Sequence, residues 1–209
     1  GVFSIANTSI GWHLAAGRWI LEHRIVPRAD VFSLTCGGAP WLDHEWLFQV
    51  VAALLDGLAG PAALVLMRAA AMAGLAVLLV MVGVRSGLAR WAALLLAVLC
   101  VAGARPRFFV RPEMVTLLIV PAAVWLYLSR RDRSRALSLG GIGALMLVGA
   151  NAHGAAVILP FLLAGMLTAE ILQAVATGSR HRGVSSTRYR GNRGYSARRK
   201  PGRGGFDHE

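Results

Sequence analysis

The densest group of side chains able to move a proton or hold a cation is Asp43-His44-Glu45. A carboxylate there can act as a general base toward a hydroxyl, with His44 between the two acids as a further proton carrier, and the pair Asp43 and Glu45 can share a divalent metal. The same residues have a plainer use, because an acid at a helix start caps orphan N–H groups and complements the dipole. A second group, Arg105-Pro106-Arg107-Phe108-Phe109-Val110-Arg111-Pro112-Glu113, sets three guanidinium forks in a short turn stiffened by two prolines. Such forks suit phosphate oxygens, whether of a substrate or of ordinary lipid headgroups, and Phe108, Phe109 and Val110 are expected to dip into a bilayer. The third group, Asn151-Ala152-His153-Gly154, is a polar turn whose imidazole can bind, titrate or simply hold the turn together. His13 and Asp30 stand as further binding candidates, with loop ordering as the alternative use of each.

These groups need elements to hold them, and the composition says of what kind. Hydrophobic residues make up 56% of the 209 and charged residues only 15%, with a mean hydropathy of +0.58. That surplus exceeds what a soluble domain of this size can bury, so it is expected to face lipid. Apolar residues concentrate in five blocks, roughly 62–84, 88–104, 114–128, 137–150 and 155–176, each read as a membrane helix although the middle three fall short of about 20 residues. Ahead of them, Ser9 is placed to cap a short surface helix with Ile10, Leu14 and Leu21 on one face and His13 and Arg18 off it. From Asp43 onward, Leu47, Val50, Val51, Leu54, Leu55 and Leu58 recur at helical spacing while Glu45, Gln49 and Asp56 avoid the stripe, which predicts an interfacial amphipathic helix ended by Gly57 and Gly60-Pro61. The expected fold is therefore all-α: a polytopic transmembrane helical bundle with an extracytoplasmic N-terminal loop at 1–59, a five-helix region at 60–176 and a disordered basic cytoplasmic tail at 177–209.

The net charge of +12 is uneven, since nine basic residues against Asp207 and Glu209 place +7 of it beyond residue 176. A specific nucleic-acid partner is not expected, although Tyr189 and Tyr195 among arginines give the tail an RNA- or lipid-binding alternative. Arg85 and Arg90, then Arg130, Arg131, Arg133 and Arg135, then the tail, alternate onto one side of the membrane, cytoplasmic by the positive-inside rule. That leaves residues 1–58, the turn 105–113 and the turn 151–154 together outside a bacterial inner membrane crossed several times. Cys36 and Cys100 imply no disulfide framework, and no signal-peptide pattern opens the chain. Dinucleotide, phosphate-loop, zinc-spacing and nucleophile-elbow motifs are missing, which argues against a soluble nucleotide enzyme.

Gly11-Trp12-His13-Leu14 through Arg18-Trp19, Val26-Pro27, Asp30-Val31-Phe32-Ser33, and Pro40-Trp41-Leu42-Asp43-His44-Glu45-Trp46 together resemble the GT-C type bacterial membrane glycosyltransferases, which use polyprenyl- or dolichyl-phosphate sugars. Arg105-Pro106-Arg107-Phe108 and Asn151-Ala152-His153-Gly154 fit the same pattern, and the resemblance runs over about residues 7–176. It implies a polyprenyl-phosphate-linked sugar donor as partner alongside membrane lipid, with Asp43 and Glu45 acting on the acceptor or binding metal. Arg105, Arg107 and Arg111 would hold the phosphate. Relatives often carry an aspartate where this chain has Asn7-Thr8-Ser9. Members are usually longer, and the abrupt Arg/Gly/Ser-rich sequence predicts a break in frame or a fragment near Thr177. A transporter or lipid-handling protein, and an inactive remnant, are the rival readings.

Overall fold

The computed structural model describes residues 9–104, 109–130 and 134–191. Among the described residues six α-helices run in chain order: α1 (Ser9–His23), α2 (Trp46–Arg85), α3 (Arg90–Ala104), α4 (Glu113–Ser129), α5 (Arg135–Ala152) and α6 (Ile158–Gly191), with a 3₁₀ turn, Gly154–Val157, before α6. The fold is all-helical, with a lone bridge between Ala29 and Pro40 as the β pairing seen among the described residues.

Helix α2 is two helices in series. Ala59 (φ −144°, ψ 19°) and Gly60 (φ 62°, ψ −155°) leave helical geometry, and Pro61 opens the second half. Glycine tolerates the left-handed conformation that ends a helix, and proline's missing N–H costs nothing in the first turn of the next. The two halves therefore differ in direction, and the bend is where Gly60-Pro61 placed it.

Helix α1 packs on α2, and α2 in turn meets α3, α4 and α5. The α1–α2 contact corrects two expectations. Its buried residues on α1 are Ile10, His13, Ala16, Gly17 and Ile20, so His13 lies on the packed face while Leu21 is exposed. On the first half of α2 the buried residues are Phe48, Gln49, Ala52 and Ala53, while Val51, Leu54 and Leu58 of the expected stripe face outward. The reason is steric: a Cβ at Gly17 would lie 2.1 Å from the Gln49 carbonyl oxygen, so backbones approach through small residues, while Leu47 and Leu55 of the stripe stay partly buried against the core. Arg18 closes the contact from its rim, donating to Asp56 at 2.6 Å.

Elsewhere among the described residues small side chains are often buried and large ones exposed, although Leu64, Leu75, Met114, Ile119 and Leu159 are buried too. Alanines 52, 63, 71, 93, 97, 123 and 152 are buried, while leucines 58, 66, 94, 95 and 99 are exposed. Among the described residues two helices, Trp46–Arg85 and Gly154–Ala176, are long and apolar enough to cross a membrane, and only 11% of the most apolar window of each is buried. A core helix of a soluble protein would be mostly covered; these are not. The apolar helices Arg90–Ala104, Glu113–Ser129 and Ala136–Ala152 are shorter. The segment 162–209 forms a separate unit, and its backbone continues α6 to Gly191 with no proline to interrupt it. Residues 192–209 lie outside the described residues.

Candidate functional site

Long-range side-chain bonds bring the polar groups of the sequence to one end of α2. The indole Nε1 of Trp46 donates to Asn151 Oδ1 at 3.0 Å, joining the start of α2 to the last turn of α5. Arg111 Nε donates to Ser9 Oγ at 3.1 Å, joining the α3–α4 connection to the start of α1. Between these two ties stands Glu45, with His13 Nδ1 3.9 Å from its Oε2 and His44 Nε2 3.8 Å from its Oε1.

Burial pushes the Glu45 carboxyl above its ordinary range; the charges of His44 and His153 pull the other way, and those of Asp43 and Glu113 reinforce it. Its side chain nevertheless remains 24% exposed. A carboxylate that is reachable, flanked by two imidazoles and held above its usual pKa is a stronger base than an ordinary surface carboxylate.

Asp43 is differently placed. It is buried, and its Oδ1 accepts the Glu45 backbone N–H at 3.2 Å and Gln49 Nε2 at 2.9 Å. Burial raises its pKa despite those bonds and the His44 charge. These contacts match the structural alternative, an Asx turn that feeds the chain into α2. Among the described residues no group of three or more His, Cys, Asp or Glu side chains is arranged to hold an ion.

His13 is buried edge-on against Phe48, ring centroids 5.5 Å apart. Burial first, and then the Arg111 charge, lower its pKa from 6.5 to about 4. It is therefore a neutral imidazole at physiological pH, able to donate or accept but not to pair as a cation. His153 breaks the helix with extended backbone (φ −163°) and meets the Thr116 hydroxyl through Nδ1 at 2.8 Å. Thr116 was not foreseen; it sits in an apolar run of α4, and only the fold brings it to His153. The His44 ring packs where Gly154 lacks a side chain, 3.1 Å from the position a Cβ would take.

Two further candidates have other duties. Asn151 spends its oxygen on Trp46 and its Nδ2 on the Leu147 carbonyl at 2.8 Å, so its amide is a clamp. Asp30 accepts the N–H groups of Phe32 and Ser33 at 2.9 Å each, and hydrogen bonds, the Ser33 hydroxyl's foremost, hold its carboxyl below the usual range. It orders the 30–39 loop, whose Asp30 N–H reaches the Ala39 carbonyl, beneath the aromatic cluster of Trp12, Phe32 and Trp41. Arg105, Arg107 and Phe108 lie outside the described residues. Phe109 is exposed, but Val110 is buried with Ile10, Phe48, Leu64 and Ala152, so it packs into protein where the sequence suggested lipid.

Next to this polar end, an apolar cavity of about 750 Å³ opens between α2, α4 and α5. Its walls include Phe48, Met114 and Ala152, each within three residues of Glu45, Glu113 or His153, and it extends to Ala70, Gly74 and Leu118. A volume of that order suits a drug-sized or lipid ligand. Compared with known proteins, the chain matches no family model, no curated protein and no solved structure.

Proposed function

We propose that this chain is all or part of a membrane glycosyltransferase that takes a sugar from a polyprenyl-phosphate carrier and gives it to an extracytoplasmic acceptor. The observation that carries the reading is the junction of a Glu45-centred polar cluster with an apolar cavity of about 750 Å³. A polyprenyl-phosphate sugar has the same two-part character: an isoprenoid that needs an apolar slot, and a charged, hydroxylated head that needs donors and a base.

In this reading the helices cross a bacterial inner membrane several times, and the polar end of α2 lies at the outer surface. The acceptor hydroxyl gives its proton to Glu45 as its oxygen bonds to the anomeric carbon. The bond from that carbon to the phosphate oxygen breaks, and the electron pair leaves with polyprenyl phosphate. Arg111, beside Ser9 and His13, faces the developing phosphate charge, with Arg105 and Arg107 proposed as its partners. Neutral His13 keeps a second positive charge away from Glu45, which preserves its basicity.

Membranes containing the protein and a radiolabelled polyprenyl-phosphate sugar provide the test. Wild type is expected to move label to an acceptor, and Glu45→Gln to lose that transfer by about 10²-fold or more while inserting normally. Donor binding without transfer in the wild type would favour the lipid-handling alternative, and equal turnover in both proteins would remove Glu45 from the mechanism.

A further inference from the structure

A second groove lies at the other end of α2. Its cavity, about 520 Å³, is lined by Arg85 and Arg90 together with Val80, Val84, Leu94 and Trp125. Among the described residues that line it there is no acidic side chain. The second half of α2 runs roughly 37 Å from Pro61 to Arg85 at 1.5 Å per residue, so this groove is about a hydrocarbon-core thickness from the Pro61 end of that helix.

The local fold explains why two like charges share one groove. Helix α2 ends in a tight turn: the Ser86 N–H reaches the Val82 and Gly83 carbonyls, and the Leu88 N–H returns to Gly83 at 3.0 Å. Helix α3 starts two residues later, and its Ala93 N–H bonds the Ala89 carbonyl at 2.9 Å. Gly83 and Ala93 touch so closely that a Cβ on Gly83 would lie 2.9 Å from that of Ala93. The two helices are thereby locked side by side, and Arg85 and Arg90 line the same groove.

We propose that this groove binds the head of an anionic phospholipid, independently of the chemistry at Glu45. Guanidinium forks match a phosphodiester, and basic pockets between membrane helices collect anionic heads. Val80, Val84 and Leu94 offer the adjoining surface to the first carbons of the acyl chains, and Trp125 has the amphipathic ring favoured at headgroup depth. The apolar walls select a lipid over a free phosphate ion, which would cover the arginines and leave those walls bare. The inference rests on membrane embedding alone, not on glycosyl transfer.

The test uses the full chain in nanodiscs of phosphatidylcholine with a minor fraction of phosphatidylglycerol, and native mass spectrometry of the lipids it retains. Wild type is expected to enrich phosphatidylglycerol about tenfold or more over its bulk fraction, as two arginines near a headgroup allow. R85Q/R90Q should fall to the bulk ratio, whereas R24Q/R28Q, which removes the same charge elsewhere, should not. Leu94→Trp, which fills the groove and keeps both charges, should also lose the enrichment, and it decides the matter if R85Q/R90Q fails to fold. Undiminished enrichment in the groove variants overturns the proposal, as does displacement of the lipid by millimolar inorganic phosphate, which would mark a simple ion site.

Discussion

Trp46 and Asn151 are separated by 105 positions, yet the indole N–H of one donates to the amide oxygen of the other at 3.0 Å. This bond fixes the first turn of α2, and hence Glu45, against the turn that carries His153. Trp46→Phe leaves Asn151 Oδ1 without its donor in a part-buried setting, which costs about 1–3 kcal/mol. Asn151→Leu leaves the indole N–H similarly stranded. In thermal unfolding the double variant W46F/N151L should be less destabilised than the sum of the singles; simple additivity would show that the bond contributes nothing.

The approach of α1 to α2 depends on Gly17 having no side chain. Because the atom in the way at 2.1 Å is the Gln49 carbonyl oxygen, a backbone atom, Gly17→Ala forces the helices apart rather than turning a rotamer. Overpacking of this kind costs about 1–3 kcal/mol or more. Limited proteolysis should then cut within residues 24–42 faster than in wild type, while Gly11→Ala, where a Cβ meets nothing within 4 Å, should leave the rate unchanged.

Part of this site was legible in the sequence, because the polar residues 43–45, Arg111 and 151–153 interrupt apolar blocks, and the structure joins them through Glu45, Trp46–Asn151 and Arg111–Ser9. The bend at Gly60-Pro61 was equally readable, since both residues act locally. What the sequence hid was which face of each helix is inside. A hydrophobic stripe marks the buried face only when water is the alternative; where lipid is the alternative, Ala16, Gly17, Ala52 and Ala53 pack while Leu54 and Leu58 stay outside. For that reason His13 and Gln49 were placed on the wrong face, and Thr116, in an apolar run of α4, gave no sign of its bond to His153.

Acid should loosen the fold through His13. Its pKa falls from 6.5 to about 4 on folding, so between those values the unfolded chain binds more protons and stability drops as pH falls from about 6.5 to about 4. Glu45 and Asp43, raised by burial, act in the opposite sense above their ordinary range, where rising pH forces charge into the fold. His13→Asn removes the first effect and leaves the second. Melting temperatures measured from pH 4 to 7 should therefore decline toward acid in wild type more steeply than in His13→Asn; parallel curves would show that His13 titrates as freely in the folded protein as in the unfolded chain.

Thr116 meets Nδ1 of His153 at 2.8 Å, and a hydroxyl at one ring nitrogen sets the tautomer and the aim of the other. Thr116→Ser keeps the hydroxyl and Thr116→Val keeps the shape without it. If glycosyl transfer uses the field that His153 exerts on Glu45, Thr116→Val should lower kcat by about tenfold, on the scale seen when a group that orients a functional histidine is lost, and move the acidic limb of the pH–rate profile. Thr116→Ser should behave as wild type. Matching profiles for all three would confine Thr116 to holding α4 against the turn.

The cavity beside Glu45 makes a prediction that separates lipid recognition from chemistry. Ala70 and Gly74 line it away from the polar end, so a large side chain there fills the slot without touching Glu45, His13 or Arg111. A Cβ on Gly74 lies 3.4 Å from the Leu118 side chain, a flexible neighbour that can shift, so Gly74→Leu is compatible with the helix packing. Each isoprenoid carbon left out of an apolar slot forfeits about 0.8 kcal/mol of burial per methylene equivalent. Donors with long isoprenoid chains should thus lose affinity about tenfold or more for every two such groups displaced, and Ala70→Phe should act alike. A donor analogue truncated to a few carbons never reaches Gly74, and its kcat/KM should be the same in wild type and variant. A uniform loss over all chain lengths would mean that the substitution distorts the polar end, and unchanged use of long-chain donors would mean that the isoprenoid lies elsewhere.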